Sequence, residues 1–488
     1  MNILSLEFFE FFSCFFVLYW ILQPSLFLQN LLLLAGSLFF ISWGSAYNFY
    51  VLLGWTGCVY GITLFWRKTG RTTATNIILC VLIFTFFFLF RFYAALQESL
   101  KSFLDGIGLP IALPMVVGVA PLGLSFYVFH SVSYVISLQR TEVVKNRGAF
   151  PAHTINGNKE SFFSFLLYTS FFPSIVSGPI NRAVDLFPQL MPFQMRRILL
   201  PKQAVGLILL GLLKLFLVSD YLDKHLVSPV FSAPSNATPV ASLTAVIAYA
   251  WQIYMNFSGY TDLVRGIGLL LGFHLPENFN APYLAANISE FWRRWHITLS
   301  RFITDYIYIP LGGNRRGFVR QNINVLIAMG LSGLWHGVGM NFFIWGMLHG
   351  AGLVVLNGFN RLKMVIADDV KQRIPSRLAH EGARFVTFVF LCLTWVFFRS
   401  ANFDDAITLL SSLTHCFSSE LFDPHMLILW VLIAVTAFYG FLDHLKKRVW
   451  GYCEWLPWWA YPFGIAALLT LIFMFAPAGT PGFIYANF

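Results

Sequence analysis

The chain has 488 residues, of which 57% are hydrophobic and only 11% charged, against roughly 25% charged in ordinary soluble domains. That shortage of polar surface excludes a soluble globular protein of this length and leaves a polytopic all-α membrane protein. The formal charge of +10 does not point to nucleic acid, because the basic residues gather in short stretches between apolar runs, where membrane topology accounts for them.

Taken in chain order, the first apolar run, 6–22, carries Glu7 and Glu10 and no basic leader, so it reads as a membrane helix and not a cleaved signal. Further runs follow at about 27–44, 48–66, 75–95, 111–139, 203–219, 240–257, 322–338, 341–357, 385–400, 426–445 and 457–476. Each approaches the ~20 residues that cross a ~30 Å hydrocarbon core. They group as N-terminal helices (1–110), a core (111–357) and C-terminal helices (358–488). Basic loops at 67–71, 139–148, 195–202, 314–320, 360–365 and 446–448 are expected on the cytoplasmic side. That assignment works if 161–180, broken by Pro173, Gly178 and Pro179, enters and leaves on one side as a re-entrant segment. The six cysteines are scattered without a CxxC pair, so neither a disulfide framework nor a metal site is expected.

Residues 254–320 are far more polar. Asn256, Asp262, Arg265, His274, Glu277, Asn278, Asn280, Asn287 and Glu290 are too many for lipid-facing helices, since a charge at the bilayer centre costs at least ~2.5–3.5 kcal/mol. Within this stretch "EFWRRWHITLSRFITDYI" reads as one amphipathic helix, capped by Ser289 or Asn287. Its apolar stripe is Phe291, Trp295, Leu299, Phe302 and Tyr306, and its polar stripe Arg294, Thr298, Arg301 and Asp305. His296 falls off the polar stripe, turned toward protein, either as a buried hydrogen-bonded residue or as one lining a substrate path. "IPLGGNRRG" is either a cytoplasmic turn or a basic mouth for an acidic donor.

"NINVLIAMGLSGLWHGVG" reads as a helix whose Gly333 and Gly337 allow close helix packing. Sixteen residues at 1.5 Å separate Arg320 from His336. His336 therefore lies deep in the protein, where an ionisable group is a functional hypothesis by default. His349, on the next segment, either points to the same centre or satisfies a carbonyl. A metal site formed by His296, His336 and His349 has no ligand spacing to support it.

"NFSGYTDLVRGIGLLLGF", "ENFNAPYLAANISEFWRRWHITLSRFITDYIYIPLGGNRRG" and "LSGLWHGVGMNFFIWGMLHG" together resemble the membrane-bound O-acyltransferase (MBOAT) family, as do "PLGLSFYVFHSVSYVIS" and "FFPSIVSGPI". The nearest likeness is to its bacterial branch, the alginate O-acetylation proteins and the D-alanylation protein of teichoic acid synthesis. The resemblance implies a ring of about 11–13 transmembrane helices, with re-entrant and amphipathic interfacial helices, around a thinned centre. It implies that the WHG histidine, His336, sits in a tunnel joining the two faces, and that His296, in the W-R-x-W-H motif, is the second important histidine. Trp335, Asn314, Tyr308, Asn256, Asp262 and His349 are weaker, supporting candidates. Asn256 departs from the family's pattern, which has an acid in F-D-F-S-G-Y.

The activity so implied moves an acyl group, acetyl in the alginate-type branch, from a cytoplasmic thioester across the membrane to an exopolysaccharide hydroxyl or a periplasmic partner protein. The donor would be acetyl-CoA or an acyl carrier protein, with no bound cofactor. A periplasmic acetyltransferase of SGNH type is the implied partner, in a multi-pass protein of the bacterial inner membrane. The rival readings are D-alanyl or other acyl transfer to an envelope polymer, and a non-catalytic acyl-group transporter or scaffold. A transporter often shows inverted repeats, and none is evident in this sequence.

Overall fold

A computed structural model describes residues 1–107, 109, 121–146, 161–176, 178–191, 195–365, 376–414, 425–477 and 479–482. The start of the expected segment 111–139 and the end of the basic loop 139–148 lie outside these residues. Every regular element among the described residues is helical. The chain divides into two compact units: residues 1–201 with 267–276, and residues 202–266 with 277–488.

In the first unit, α1 (Leu6–Ile21), α2 (Leu26–Ser42) and α3 (Ala46–Thr69) follow the expected runs closely. Serines at positions 5, 25 and 45 cap their N-termini, and Gly70, left-handed at φ 66°, ends α3. The next two long helices are α4 (Thr72–Phe92) and α5 (Leu124–Asn146). The 161–180 segment breaks as its prolines and glycine require. A nine-residue helix, α6 (Phe162–Ser170), stops at Phe171, and turns follow. Asn181 then donates its side-chain amide to Ser174 at 2.7 Å and its backbone N–H to His130 Nε2 at 3.3 Å.

The second unit begins with α7 (Pro201–Phe231) and α8 (Pro239–Leu270), whose last turn is counted with the first unit. Two short helices follow, α9 (Ile288–Arg294) and α10 (Ile297–Ile303). The long helices α11 (Phe318–His336), α12 (Met340–Val365) and α13 (Ser376–Arg399) come next. The unit closes with α14 (His425–Ala437), α15 (Tyr439–Trp455) and α16 (Tyr461–Phe475).

Among the described residues, five helical stretches are long and apolar enough to cross a bilayer: Ala46–Thr69, Thr72–Phe92, Pro201–Phe231, Met340–Leu362 and Leu378–Arg399. The expected single span 426–445 is instead a pair, α14 and α15, bent by 66°. Its basic run 446–448 is not a loop but part of α15, where Lys446 and Lys447 pair with Asp443 one turn earlier at 3.2 and 2.7 Å.

Candidate active site

The expected continuous helix over 290–307 is broken at its centre. Trp295 is extended and His296 is left-handed, at φ 41° and ψ 54°. The break has an identifiable cause. In a continuous helix the Ile297 and Thr298 N–H groups would bond to the carbonyls of residues 293 and 294. Here Ile297 N–H donates to the Asn278 carbonyl at 3.0 Å, and Thr298 N–H to Asn278 Oδ1 at 3.2 Å. Arg294 O accepts from Asn280 N–H at 2.9 Å. The segment 278–280 has thus replaced the helix's own bonds, and the strain falls on His296, a residue type enriched in this region of φ/ψ.

The start of α9 is fixed separately. Asn287 is its cap, and Glu290 accepts from Ala286 N–H at 2.9 Å and pairs with Arg294 at 2.8 Å. Burial pushes the Glu290 carboxyl up, but these partners outweigh it and hold it below its ordinary value. The expected polar stripe does not survive the break. Thr298 turns inward and donates its hydroxyl to Asn278 Oδ1 at 2.6 Å.

His296 is buried as expected, through this clamp and not through helical phase. Its Nδ1 faces Asn278 Oδ1 at 3.4 Å. That oxygen can only accept, so Nδ1 carries the proton and Nε2 the lone pair. Its ring meets Phe257 edge-on, 4.7 Å between centroids, and has Trp335 as a further neighbour at 6.4 Å.

His336 is the last residue of α11. Its position is set by two glycines where α11 and α12 touch backbone to backbone. A Cβ on Gly333 would strike the Phe342 carbonyl, and one on Gly346 would strike the Met329 carbonyl. His336 is 2% exposed. It packs on Trp335 at 4.5 Å, edge-on to Trp345 at 5.0 Å and against Phe398 at 5.1 Å. Trp335 therefore neighbours both His296 and His336.

His349 belongs to a different environment. Trp345 stands between it and His336, 4.7 Å from the His349 ring. The Thr394 hydroxyl donates to Leu391 O at 2.9 Å and so accepts from His349 Nε2–H at 3.1 Å. Its expected carbonyl partner is thus a hydroxyl.

The remaining candidates disperse. Asp262 forms an ion pair with Lys214 at 2.6 Å, with Arg265 at 3.9 Å. Asn314 is exposed on the turn after α10. Tyr308 lines a cavity of about 590 Å³ with Arg293, Arg301, Gln321 and Met329, along the N-terminal part of α11. Asn256 is buried, donating to Ser219 Oγ at 3.2 Å and Gly482 O at 2.9 Å, and lines a second cavity of about 470 Å³. Phe398 and Phe342 form part of that cavity's wall, and His336 packs on Phe398. Among the described residues no group of three His, Cys, Asp or Glu side chains is placed to hold a metal.

The model of the MBOAT, membrane-bound O-acyltransferase, family matches residues 124–365. A probable alginate O-acetylase, AlgI, of Pseudomonas syringae pv. tomato is 31% identical over 86% of this chain and 78% of its own length. The chain belongs to the membrane-bound O-acyltransferase family. A peptidoglycan O-acetyltransferase of Helicobacter pylori is 33% identical over 60% of this chain and 57% of that protein. A teichoic acid D-alanyltransferase of Streptococcus thermophilus is 26% identical over 51% of this chain.

This MBOAT protein is a multi-pass membrane protein and, by family, an acyltransferase acting with an acyl donor. The matched span contains all three histidines and Asn278, whereas Phe398, Arg399 and Ser400 lie beyond it. Sequence reasoning noted Asn278 only as one polar residue among many and passed over Trp345 and the residues around Phe398. The signal for Asn278 was its place in "ENFNAP", a polar run between apolar stretches.

Proposed function

We propose that this protein moves an acetyl group from a cytoplasmic thioester, acetyl-CoA or an acylated carrier protein, to a hydroxyl of a cell-envelope polysaccharide in the bacterial inner membrane. A periplasmic SGNH-type protein is the acceptor or relay in systems that use one. The observation that carries the reading is the position of His336. It is a buried imidazole ending α11, with one cavity along that helix's N-terminal part and a second beyond Phe398.

In this reading His336 takes the proton of the acceptor hydroxyl as its oxygen attacks the thioester carbonyl. The C–S bond then breaks, and the thiolate leaves with that proton. General-base assistance of this kind contributes typically 10²–10⁴-fold. The carbonyl end of a helix suits the transient imidazolium. His296, its Nε2 lone pair set by Asn278, is assigned to the donor side, next to Ile297 in the donor cavity's lining. Trp335 packs against His336 and neighbours His296. Tyr308 serves the donor cavity, Asn256 the second cavity, and Asp262 and His349 support the packing.

The test uses the purified full-length protein in lipid discs with radiolabelled acetyl-CoA, and in parallel a D-alanyl carrier-protein thioester. Wild type should release or transfer acetyl, and His336→Ala should lose it while keeping its elution profile and thermal transition. Normal acetyl transfer by His336→Ala overturns the assignment. Turnover of the D-alanyl donor alone replaces acetyl by D-alanyl.

A further inference from the structure

The 470 Å³ cavity beyond Phe398 has a lining that selects for a particular acceptor chemistry. Its charged and amide- or hydroxyl-bearing walls include Asp220 and Asp223 on α7, Gln252 and Asn256 on α8, and Arg399 and Ser400 where α13 ends. The volume lies within the ~300–1,000 Å³ of ordinary small-molecule sites.

Two of these side chains are nine-tenths or more buried and carry an oxygen with no hydrogen-bond partner. They are Gln252 Oε1, with the residue 4% exposed, and Ser400 Oγ, with the residue 7% exposed. Buried polar atoms are ordinarily satisfied, so an orphan lining a cavity is a place for water or for the polar group of a ligand that displaces it.

The charges of the cavity are already matched. Asp220 pairs with Lys224 at 2.8 Å. Asp223 accepts from Ser228 at 2.8 Å and faces Arg399 at 3.8 Å. Arg399, the cation in this lining, donates to Ser228 Oγ at 3.0 Å and lies over the Phe231 ring at 5.7 Å. A ligand carboxylate would have to compete with Asp223 for Arg399, in a cavity whose lining already holds two carboxylates. A ligand ammonium would find both carboxylates occupied. Hydroxyl donors, by contrast, meet Gln252 Oε1, Ser400 Oγ and the remaining lone pairs of two carboxylates.

We infer that this cavity binds an uncharged, hydroxyl-bearing saccharide unit and disfavours uronate-type polyanions. The inference rests on the proposal that the acceptor reaches His336 from this side, and it narrows that acceptor to neutral glycans. Phe398, which lines the cavity and packs on the His336 ring at 5.1 Å, then stands between the sugar and the imidazole.

The test is calorimetric titration of the full-length protein in lipid discs with three hexasaccharides: cellohexaose, hexamannuronate and hexaglucosamine. Cellohexaose should bind at least ~10-fold tighter than either charged chain. Gln252→Ala and Ser400→Ala should each weaken it by roughly 2- to 10-fold, the worth of one hydrogen bond. Equal or tighter binding of the uronate or the amine, or no saccharide binding with acyl transfer only to a serine-bearing protein, overturns the inference. The wild-type comparison alone decides it if a variant fails to fold. Residual transfer by His336→Ala sinks the catalytic proposal and not the saccharide preference, so the two failures are distinguishable.

Discussion

Removing the Asn278 side chain should disable the protein through His296. Asn278 Oδ1 accepts from Thr298 N–H at 3.2 Å and Thr298 Oγ1 at 2.6 Å, both buried, and faces His296 Nδ1 at 3.4 Å. Asn278→Ala strands two buried donors at about 1–3 kcal/mol each. It also removes the side-chain part of the clamp that holds His296 in a left-handed conformation that itself costs ~1–2 kcal/mol, leaving only the backbone bonds of Ile297 and Asn280. Even the lower bound, ~2 kcal/mol, shifts the ratio of held to released geometry by about 30-fold. The acyl-transfer rate of Asn278→Ala should therefore fall by at least ~10-fold, with Asn278→Asp, which keeps an acceptor, retaining more rate than Asn278→Leu. A positioning role makes a further demand. The double variant with His296→Ala should be no slower, within ~3-fold, than His296→Ala alone, because coupled residues do not add. A wild-type rate for Asn278→Ala, or multiplied losses in the double variant, would refute the reasoning.

Thr394→Val should cost about 1–3 kcal/mol of stability by stranding His349 Nε2–H, seen as a lowered thermal midpoint, while the rate per folded molecule stays within ~3-fold; a collapsed rate at unchanged midpoint would make His349 a reacting group. Gly346→Val should abolish folded yield, since its Cβ meets the Met329 carbonyl, whereas Gly358→Ala on the same helix, with open space around it, should be neutral or stabilising by up to ~1 kcal/mol; equal yields of the two would show that the α11–α12 backbone contact does not matter. Lys214→Met should destabilise by about 3–5 kcal/mol by leaving Asp262 with only a distant Arg265, and Lys214→Met with Asp262→Leu should recover most of it; an unchanged midpoint for the single variant counts against a structural pair.

The apolar helices were legible because hydropathy and length are local properties. Runs such as 6–22, 27–44 and 322–338 correspond to Leu6–Ile21, Leu26–Ser42 and Phe318–His336 within a turn. The break at His296 was not legible. Nothing in "FWRRWHITL" opposes a helix, and the competitor for its N–H groups is Asn278, eighteen residues upstream. The cavity beyond Phe398 was hidden for the same reason, as its lining is spread from Ser219 to Gly482. The bend between Ala437 and Tyr439 interrupts a run that hydropathy alone reads as one span.

The two histidines of the WHG region illustrate how sequence adjacency misleads in a helical membrane protein. Thirteen residues separate His336 from His349, and both are buried among tryptophans. What differs is the neighbour on the far side of Trp345. His349 is sealed by Thr394, Trp292 and Phe390, with a hydroxyl already bonded to its Nε2. His336 has Phe398, a single ring that also walls a polar cavity. An imidazole can exchange a proton with a substrate only where a substrate atom can come within hydrogen-bond reach. By that criterion the wall each histidine faces, and not its depth or its motif, favours His336 over His349 as the proposed base.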